Sequence, residues 1–131
     1  MDNQGDVFVG QFHRITNDFQ ICVAKANSTS GSLYIDRAVG TDVAIDGGGT
    51  MYVGDFQAAP PSQISVYPPG ATAPSRSIVG GEALSVTPNG TLYAGYLDAN
   101  EFDEYAPGAT SPTNSFKYAG NYGAIGSAVT P

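Results

Sequence analysis

The densest group of reactive side chains lies near residue 100, where four acids stand close together in the chain: Asp98, Glu101, Asp103 and Glu104. Hard cations such as calcium take several oxygen ligands, so a cluster of this kind could bind one. The spacing fits no EF-hand loop, however, and the aromatic residues between the acids suggest a strand. We favour a solvated strand and expect no cofactor, with a divalent metal such as calcium as the alternative.

His13 and Cys22 are the only histidine and the only cysteine of the chain. An imidazole beside Arg14 could act as a base or a ligand, but a surface histidine is the simpler interpretation. Cys22 can form no disulfide within the chain and no zinc cluster, and we predict a small buried hydrophobe. The chain has no Gly-x-Ser-x-Gly motif and no His pair at metal-binding spacing. These absences favour a non-catalytic protein, although they leave enzymatic activity open.

The strongest signal in the sequence is internal repetition. One motif occurs three times, at residues 2–10 (DNQGDVFVG), 46–54 (DGGGTMYVG) and 87–95 (TPNGTLYAG). A second occurs at 66–74 (VYPPGATAP) and 104–112 (EYAPGATSP), with a trace at 23–29. A third occurs at 42–45, 83–86 and 126–129. We therefore divide the single domain, residues 1–131, into units of about 2–45, 46–88 and 89–131.

Each unit is predicted to contain four short strands, which in the central unit span 42–46, 50–55, 63–67 and 75–79. The turn before the second strand is rich in glycine, and we expect positive φ at Gly49 and Gly90. Met51, Tyr52 and Val53 form a nearly continuous apolar run, as in a strand buried on both faces. We expect Tyr52, with Tyr93 and Phe8 at matching places, to pack between sheets.

The first motif, preceded by an apolar strand, resembles the NHL-repeat blade, and the second resembles bacterial NHL-type β-propellers. The resemblance covers most of the chain, strongly from residue 42 onward and weakly from 11 to 36. Such repeats usually build six-bladed propellers, so the resemblance implies an all-β fold with three four-stranded blades per chain. It implies no reaction, because propellers host many unrelated functions.

The strand count predicts how such a ring closes. The first unit supplies three strands, the other two supply four each, and a further apolar strand is expected at 124–130. Propellers typically need four to eight blades, and an open ring exposes sheet edges that invite pairing. We predict a homodimer about a two-fold axis, in which residues 124–130 of one chain complete the blade begun by residues 6–10 of the other. The alternative is a piece of a longer propeller.

A ligand is expected on the face that carries the connections that differ between units, because function on a repeated scaffold tends to lie in variable loops. These include residues 11–18, 55–62, 96–101 and 120–123. We expect that replacing Asp55 and Tyr96 leaves folding intact, as for loop tips. The predicted ligand-binding residues are Gln11, His13, Arg14, Asp55, Phe56, Tyr96, Asp98, Asn121 and Tyr122.

Composition narrows the class of protein and of partner. The 17 glycines and 9 prolines, with 41% hydrophobic and only 13% charged residues, favour an all-β domain over long helices or disorder. Five Lys and Arg against 12 Asp and Glu give a net charge of −7, which argues against nucleic acid and anionic membranes. A small neutral or cationic ligand is the more plausible partner besides a second copy.

Three functions remain open. The first is a non-catalytic binding or interaction propeller formed by two chains. The second, which the resemblance permits, is a lactonase-like or lyase-like enzyme with a divalent metal in the central channel. The third is a role within a longer parent chain. The sequence carries no export signal, while proteins of the resembled family are often exported, so the compartment is also open.

Overall fold

The computed structural model describes residues 4–15, 18–38, 40, 42–55, 61–97 and 99–119. These residues form eleven β-strands, and no helix long and apolar enough to cross a membrane occurs among them. The all-β class predicted from the sequence is confirmed. The strands are β1 (Val7–His13), β2 (Asp18–Ala24), β3 (Gly31–Ala38), β4 (Asp42–Ile45), β5 (Met51–Asp55), β6 (Gln63–Tyr67), β7 (Arg76–Val79), β8 (Ala83–Val86), β9 (Leu92–Gly95), β10 (Glu101–Tyr105) and β11 (Asn114–Lys117).

The strands form three antiparallel sheets in chain order. The first sheet is β1-β2-β3, the second is β4-β5-β6-β7, and the third is β8-β9-β10-β11. Each strand pairs with the next one along the chain, so each sheet is a meander. This confirms the predicted three strands in the first unit and four in each of the next two. The strand predicted at 124–130 lies outside the described residues.

The hairpin turns that join β4 to β5 and β8 to β9 have the same geometry. The amide of Gly49 donates to the carbonyl of Asp46 at 3.1 Å, and that of Gly90 donates to the carbonyl of Thr87 at 2.9 Å. Gly49 and Gly90 have φ of +85° and +90°, as predicted. Side chains with a Cβ rarely adopt this conformation, so glycine at these two positions determines where the strands turn.

The turn between β2 and β3 has the same geometry as the turns between β6 and β7 and between β10 and β11, but it has no glycine at the position with positive φ. Asn27 has a φ of +62° at the position that Gly70 and Gly108 occupy in the other sheets, where φ is +76° and +78°. Asparagine tolerates the left-handed region better than most residues with a Cβ. The amide of Ser28 donates to the carbonyl of Lys25 at 2.9 Å, the bond that closes the other two turns as well. The weak first copy of the second motif therefore folds like the strong copies.

The second sheet lies between the other two and is covered on both faces. All five residues of β5 are buried, as its continuous apolar sequence predicts. On one face, Met51 and Val53 pack with Ile21 and Ile35 of the first sheet. On the other face, Tyr52 belongs to the core that the second sheet shares with the third, which confirms its predicted packing role. The hydrophobic core is thus two layers between three stacked sheets.

Gly47 brings the turns of the second and third sheets together. Its amide donates to the carbonyl oxygen of Pro88 at 3.0 Å, and a Cβ on Gly47 would lie 2.6 Å from that oxygen. Of the glycine run in this turn, only Gly49 has positive φ. The run therefore serves two purposes: one glycine turns the chain, and another lets the neighbouring sheet approach.

Candidate functional site

The face that the sequence predicts to bind a ligand is only partly described. Among the nine candidates, Phe56, Asp98, Asn121 and Tyr122 lie outside the described residues. The others belong to β1 and its following turn (Gln11, His13 and Arg14), to the end of β5 (Asp55) and to the position after β9 (Tyr96). The first three come from the first sheet, Asp55 from the second and Tyr96 from the third, so each sheet contributes to this edge of the molecule.

Asp55 is a strand residue and is buried, with an exposure of 6%. It lies opposite Gln63 in the ladder between β5 and β6. Asp55 thus ends the strand predicted at 50–55, and its burial shows that the expectation of a loop tip is wrong. Replacing a buried carboxylate with alanine removes its interactions, so we expect this change to cost stability.

Tyr96 belongs to a hydroxyl–carboxylate network around the buried Asp103 in the third sheet. Its hydroxyl donates to Asp103 Oδ2 at 2.6 Å, and the Ser115 hydroxyl donates to Asp103 Oδ1 at 2.5 Å. The Tyr105 hydroxyl donates to the carbonyl of Val79 in the second sheet at 2.7 Å. Burial, followed by the hydrogen bond to Asp103, raises the pKa of Tyr96, and burial raises the pKa of Tyr105 to about 12. Both phenols are therefore protonated at neutral pH and act as donors, not as bases.

The acidic cluster does not lie together as one solvated patch. Asp103 is 4% exposed, so the predicted solvated strand is wrong at this position, where the third sheet packs on the second. Glu101 forms an ion pair with Lys117 at 3.3 Å, and Glu104 accepts a hydrogen bond from Asn114 at 3.1 Å. Among the described residues, no group of three or more His, Cys, Asp or Glu side chains could hold a metal ion.

Glu82 connects the second and third sheets near the predicted ligand face. Its carboxylate accepts hydrogen bonds from the hydroxyl of Ser62, which precedes β6, and from the amide of Leu97, which follows β9, the latter at 3.1 Å. Glu82 is not among the residues predicted from the sequence, because its partners Ser62 and Leu97 are distant from it in the chain. This bridge holds the two connections at a fixed spacing.

Two clefts open on the opposite face, where the repeated hairpin turns lie. One, of about 330 Å³, lies between the first and second sheets, and its lining includes Asp6, Phe8, Lys25 and Tyr34. The other, of about 340 Å³, lies between the second and third sheets. Both volumes are within the range of small-ligand sites. The sequence assigned this face to turn chemistry alone.

The first sheet has an apolar face that no other described sheet covers. Val7 and Val9 on this face are 40% and 45% exposed, whereas their repeat equivalents Met51 and Val53 are 3% and 0% exposed. Cys22 lies opposite Val9 in the ladder and is half-buried, so its predicted full burial is wrong for the same reason. We call this surface, with Val7, Val9 and Cys22, the open front face.

The third sheet has a corresponding open back face, formed by Tyr93, Phe102 and Phe116. The rings of Phe102 and Phe116 stack at 4.8 Å with 18° between their planes, and Phe116 is 41% exposed. Their repeat equivalents in the second sheet, Ile64 and Ile78, are buried beneath the third sheet. Tyr93 is half-buried on this face, although the sequence predicts that it packs between sheets. No described strand of the first sheet contacts one of the third, so the two open faces do not cover each other within the chain.

Comparison of the chain with protein-family profiles, with curated proteins and with solved structures gave no match.

Proposed function

We propose that this chain is a non-catalytic β-propeller interaction module that closes its ring with a second copy of itself. The observation that carries the proposal is the pair of open apolar faces at the two ends of the three-sheet array. Large apolar surfaces on a soluble protein commonly mark interaction sites. Two copies of three sheets also make the six-bladed ring that the NHL-like repeats predict.

The internal junctions indicate what the open faces fit. Between the first and second sheets, Ile21 and Ile35 on the back of one sheet pack against Met51 and Val53 on the front of the next. The junction between the second and third sheets repeats this arrangement with its own apolar residues. Each junction therefore joins the back of one sheet to the front of the following sheet.

The same rule pairs the open back face of one copy with the open front face of another. Phe102 and Phe116 take the place of the isoleucine pair, and Val7 and Val9 of the second copy take the place of Met51 and Val53. A two-fold arrangement forms this junction twice and leaves neither face exposed. Only a closed ring covers both open faces of every copy, so we expect a ring and not an extended chain of copies.

The mass in solution, measured by light scattering after gel filtration, tests the proposal. We expect the wild type to have twice the mass of one chain. Val9→Lys places an ammonium group in the proposed junction, where burial of an unpaired charge is strongly unfavourable, so this variant should be monomeric. Ile15→Lys is the matched control, because Ile15 lies in the turn after β1 with 91% exposure and is not one of the residues of the open front face.

A dimer that persists in Val9→Lys would show that the front face is not the interface. A stable, well-folded wild-type monomer would refute the ring of two copies and favour a piece of a longer propeller. Loss of the dimer in Ile15→Lys as well would mean that added charge, and not its position, dissociates the copies.

A further inference from the structure

The cleft between the second and third sheets combines an apolar wall with charged side chains. Its apolar wall is made by the rings of Pro68, Pro69 and Pro107, and its polar side includes Asp46, Tyr52 and Arg76. The cleft lies within one chain, so it does not depend on the proposed ring. Its two charged groups have opposite sign, which distinguishes it from a crevice filled by packing residues.

Asp46 is held in place by the turn that it begins. Its Oδ1 accepts hydrogen bonds from the amides of Gly48 and Thr50, each at 2.9 Å. Its Oδ2 lies toward the cleft, 3.5 Å from the point where a Cβ on Gly90 would be. The buried Tyr52 hydroxyl faces the same carboxylate, and burial together with that negative charge raises the pKa of Tyr52. The cleft thus contains a fixed acceptor beside a phenol that remains protonated.

Arg76 supplies donors on the other side of Tyr52. Its Nη1 donates to the carbonyls of Gly108 at 2.8 Å and Ala109 at 3.4 Å, which anchors the side chain to the turn of the third sheet. In the part of the chain that the structure describes, no carboxylate lies within ion-pairing distance of this guanidinium. A guanidinium has five N–H donors in a planar fork, so Nη2 and Nε remain for a ligand.

In the cleft between the first and second sheets, the acid and the base contact each other. There, Lys25 Nζ and Asp6 Oδ2 are 2.6 Å apart, and this contact holds the pKa of Asp6 below its ordinary value. The acid and the base of that cleft therefore satisfy each other. In the cleft between the second and third sheets no ion pair joins Asp46 and Arg76, so both charged groups can contact a ligand.

We infer that the cleft between the second and third sheets binds a neutral polyhydroxylated ligand, with a sugar ring as the recognised unit. A hydroxyl group both donates and accepts, so neighbouring hydroxyls can donate to Asp46 and accept from Arg76. The C–H surface of the ring packs on the prolines. This site lies on the face opposite the one that the sequence predicts.

The charge balance favours a neutral ligand over an ion. An anion gains from Arg76 what it loses to Asp46, and a cation has the reverse difficulty, because both groups line one small cleft. A small zwitterion such as glycine matches both charges but has too little apolar surface to cover the proline wall. A sugar ring meets both requirements.

Nitrogen–proton correlation NMR of the full chain tests the site with glucose, galactose and mannose as probes, and with glycine and acetate as charged comparisons. We expect at least one sugar to shift the amides of Gly48, Thr50 and Gly90 saturably, with a dissociation constant of about 1 mM. Asp46→Asn and Arg76→Lys should each weaken binding by about tenfold, as expected for a lost hydrogen bond to a charged group. Asp36→Asn is the matched control, because Asp36 is exposed in β3 and its carboxylate accepts a hydrogen bond from Gln20.

Asp46→Asn keeps an oxygen for both turn amides, so it remains informative if Arg76→Lys disturbs the contact with Gly108. The proposal is overturned if no sugar shifts the cleft amides below about 100 mM. It is also overturned if the shifts lie outside the cleft or survive both substitutions, or if glycine or acetate binds there and the sugars do not.

Discussion

Replacing Gly47 with alanine is expected to destabilise the junction between the second and third sheets. The carbonyl oxygen of Pro88 accepts the hydrogen bond of the Gly47 amide at 3.0 Å, and a Cβ on Gly47 would lie 2.6 Å from the same oxygen. The same oxygen therefore accepts the hydrogen bond from Gly47 and would clash with the added Cβ. Moving the two turns apart relieves the close contact but lengthens the hydrogen bond.

The expected cost follows from these distances. A carbon–oxygen contact is normally about 3.4 Å, so the turns must separate by roughly 0.8 Å. Overpacking of this kind costs about 1–3 kcal/mol, and a weakened hydrogen bond adds about 0.5–1.5 kcal/mol. Because the Gly47 turn is exposed and can shift toward solvent, we expect a total near 2 kcal/mol, in the lower part of the combined range of about 1.5–4.5 kcal/mol.

Urea unfolding followed by circular dichroism, at one fixed protein concentration, measures this loss. Gly31→Ala is the matched control, because φ at Gly31 is not positive and the nearest atom to its added Cβ would be the Val23 carbonyl oxygen at an ordinary 3.4 Å. We expect the control to be unchanged or more stable by about 0.5 kcal/mol, since alanine restricts the unfolded chain. Equal stability of the two variants would refute the close approach of the turns.

Three further predictions concern single side chains. The hydrogen bond from Lys25 lowers the pKa of Asp6, so this pair stabilises the folded chain above pH 3.8, and the stabilisation is lost as the pH falls through the lowered pKa. In thermal unfolding, Lys25→Met should therefore lose less stability in acid than the wild type. Tyr105→Phe should cost about 0.5–1.5 kcal/mol in urea unfolding, because the hydrogen bond to the carbonyl of Val79 is lost. It should also remove the Tyr105 contribution to the stability loss between pH 10.0 and about 12, where the folded wild type holds the phenolic proton more tightly. Cys22 should react slowly with a thiol reagent in the wild type and faster in Val9→Lys; equal rates would contradict burial of the open front face.

The parts of the fold that depend on local chemistry could be predicted from the sequence. Positive φ at Gly49 and Gly90 follows from glycine at a fixed place in a repeated hairpin, and the burial of β5 follows from its apolar run. Three strands in the first unit and four in each of the others follow from the same motifs. In each case the residues that determine the structure are neighbours in the chain.

The parts that depend on a neighbouring sheet could not. Asp103 resembles a surface acid in sequence, and its burial depends on the second sheet packing above it and on Ser115 and Tyr96 as donors. Glu82 and Gly47 likewise have their roles because a carbonyl, an amide or a hydroxyl from another sheet comes within reach. No pattern within one unit contains this information.

The candidate site, like the fold, could be predicted only in part from the sequence. The sequence identified variable loops as the place for a ligand, and Tyr96 is indeed described there, but its hydroxyl already donates to Asp103. The charged cleft on the other face depends on Asp46 from one hairpin and Arg76 from β7, which are thirty residues apart in the chain. Both look like ordinary turn and strand residues until the fold places them around Tyr52.

The repeats provide an internal comparison that bears on both proposals. Val9 and Val53 occupy the same place in equivalent strands, so the difference between 45% and 0% exposure reflects the neighbouring sheet and not the residue. At the positions of Asp46 and Arg76, the third sheet has Thr87 and Asn114. A cleft formed between the third sheet of one copy and the first sheet of another would therefore lack both charges. A ring of two copies therefore has two clefts that contain both Asp46 and Arg76, one in each chain, so its sugar stoichiometry should be one per chain whether or not the copies associate.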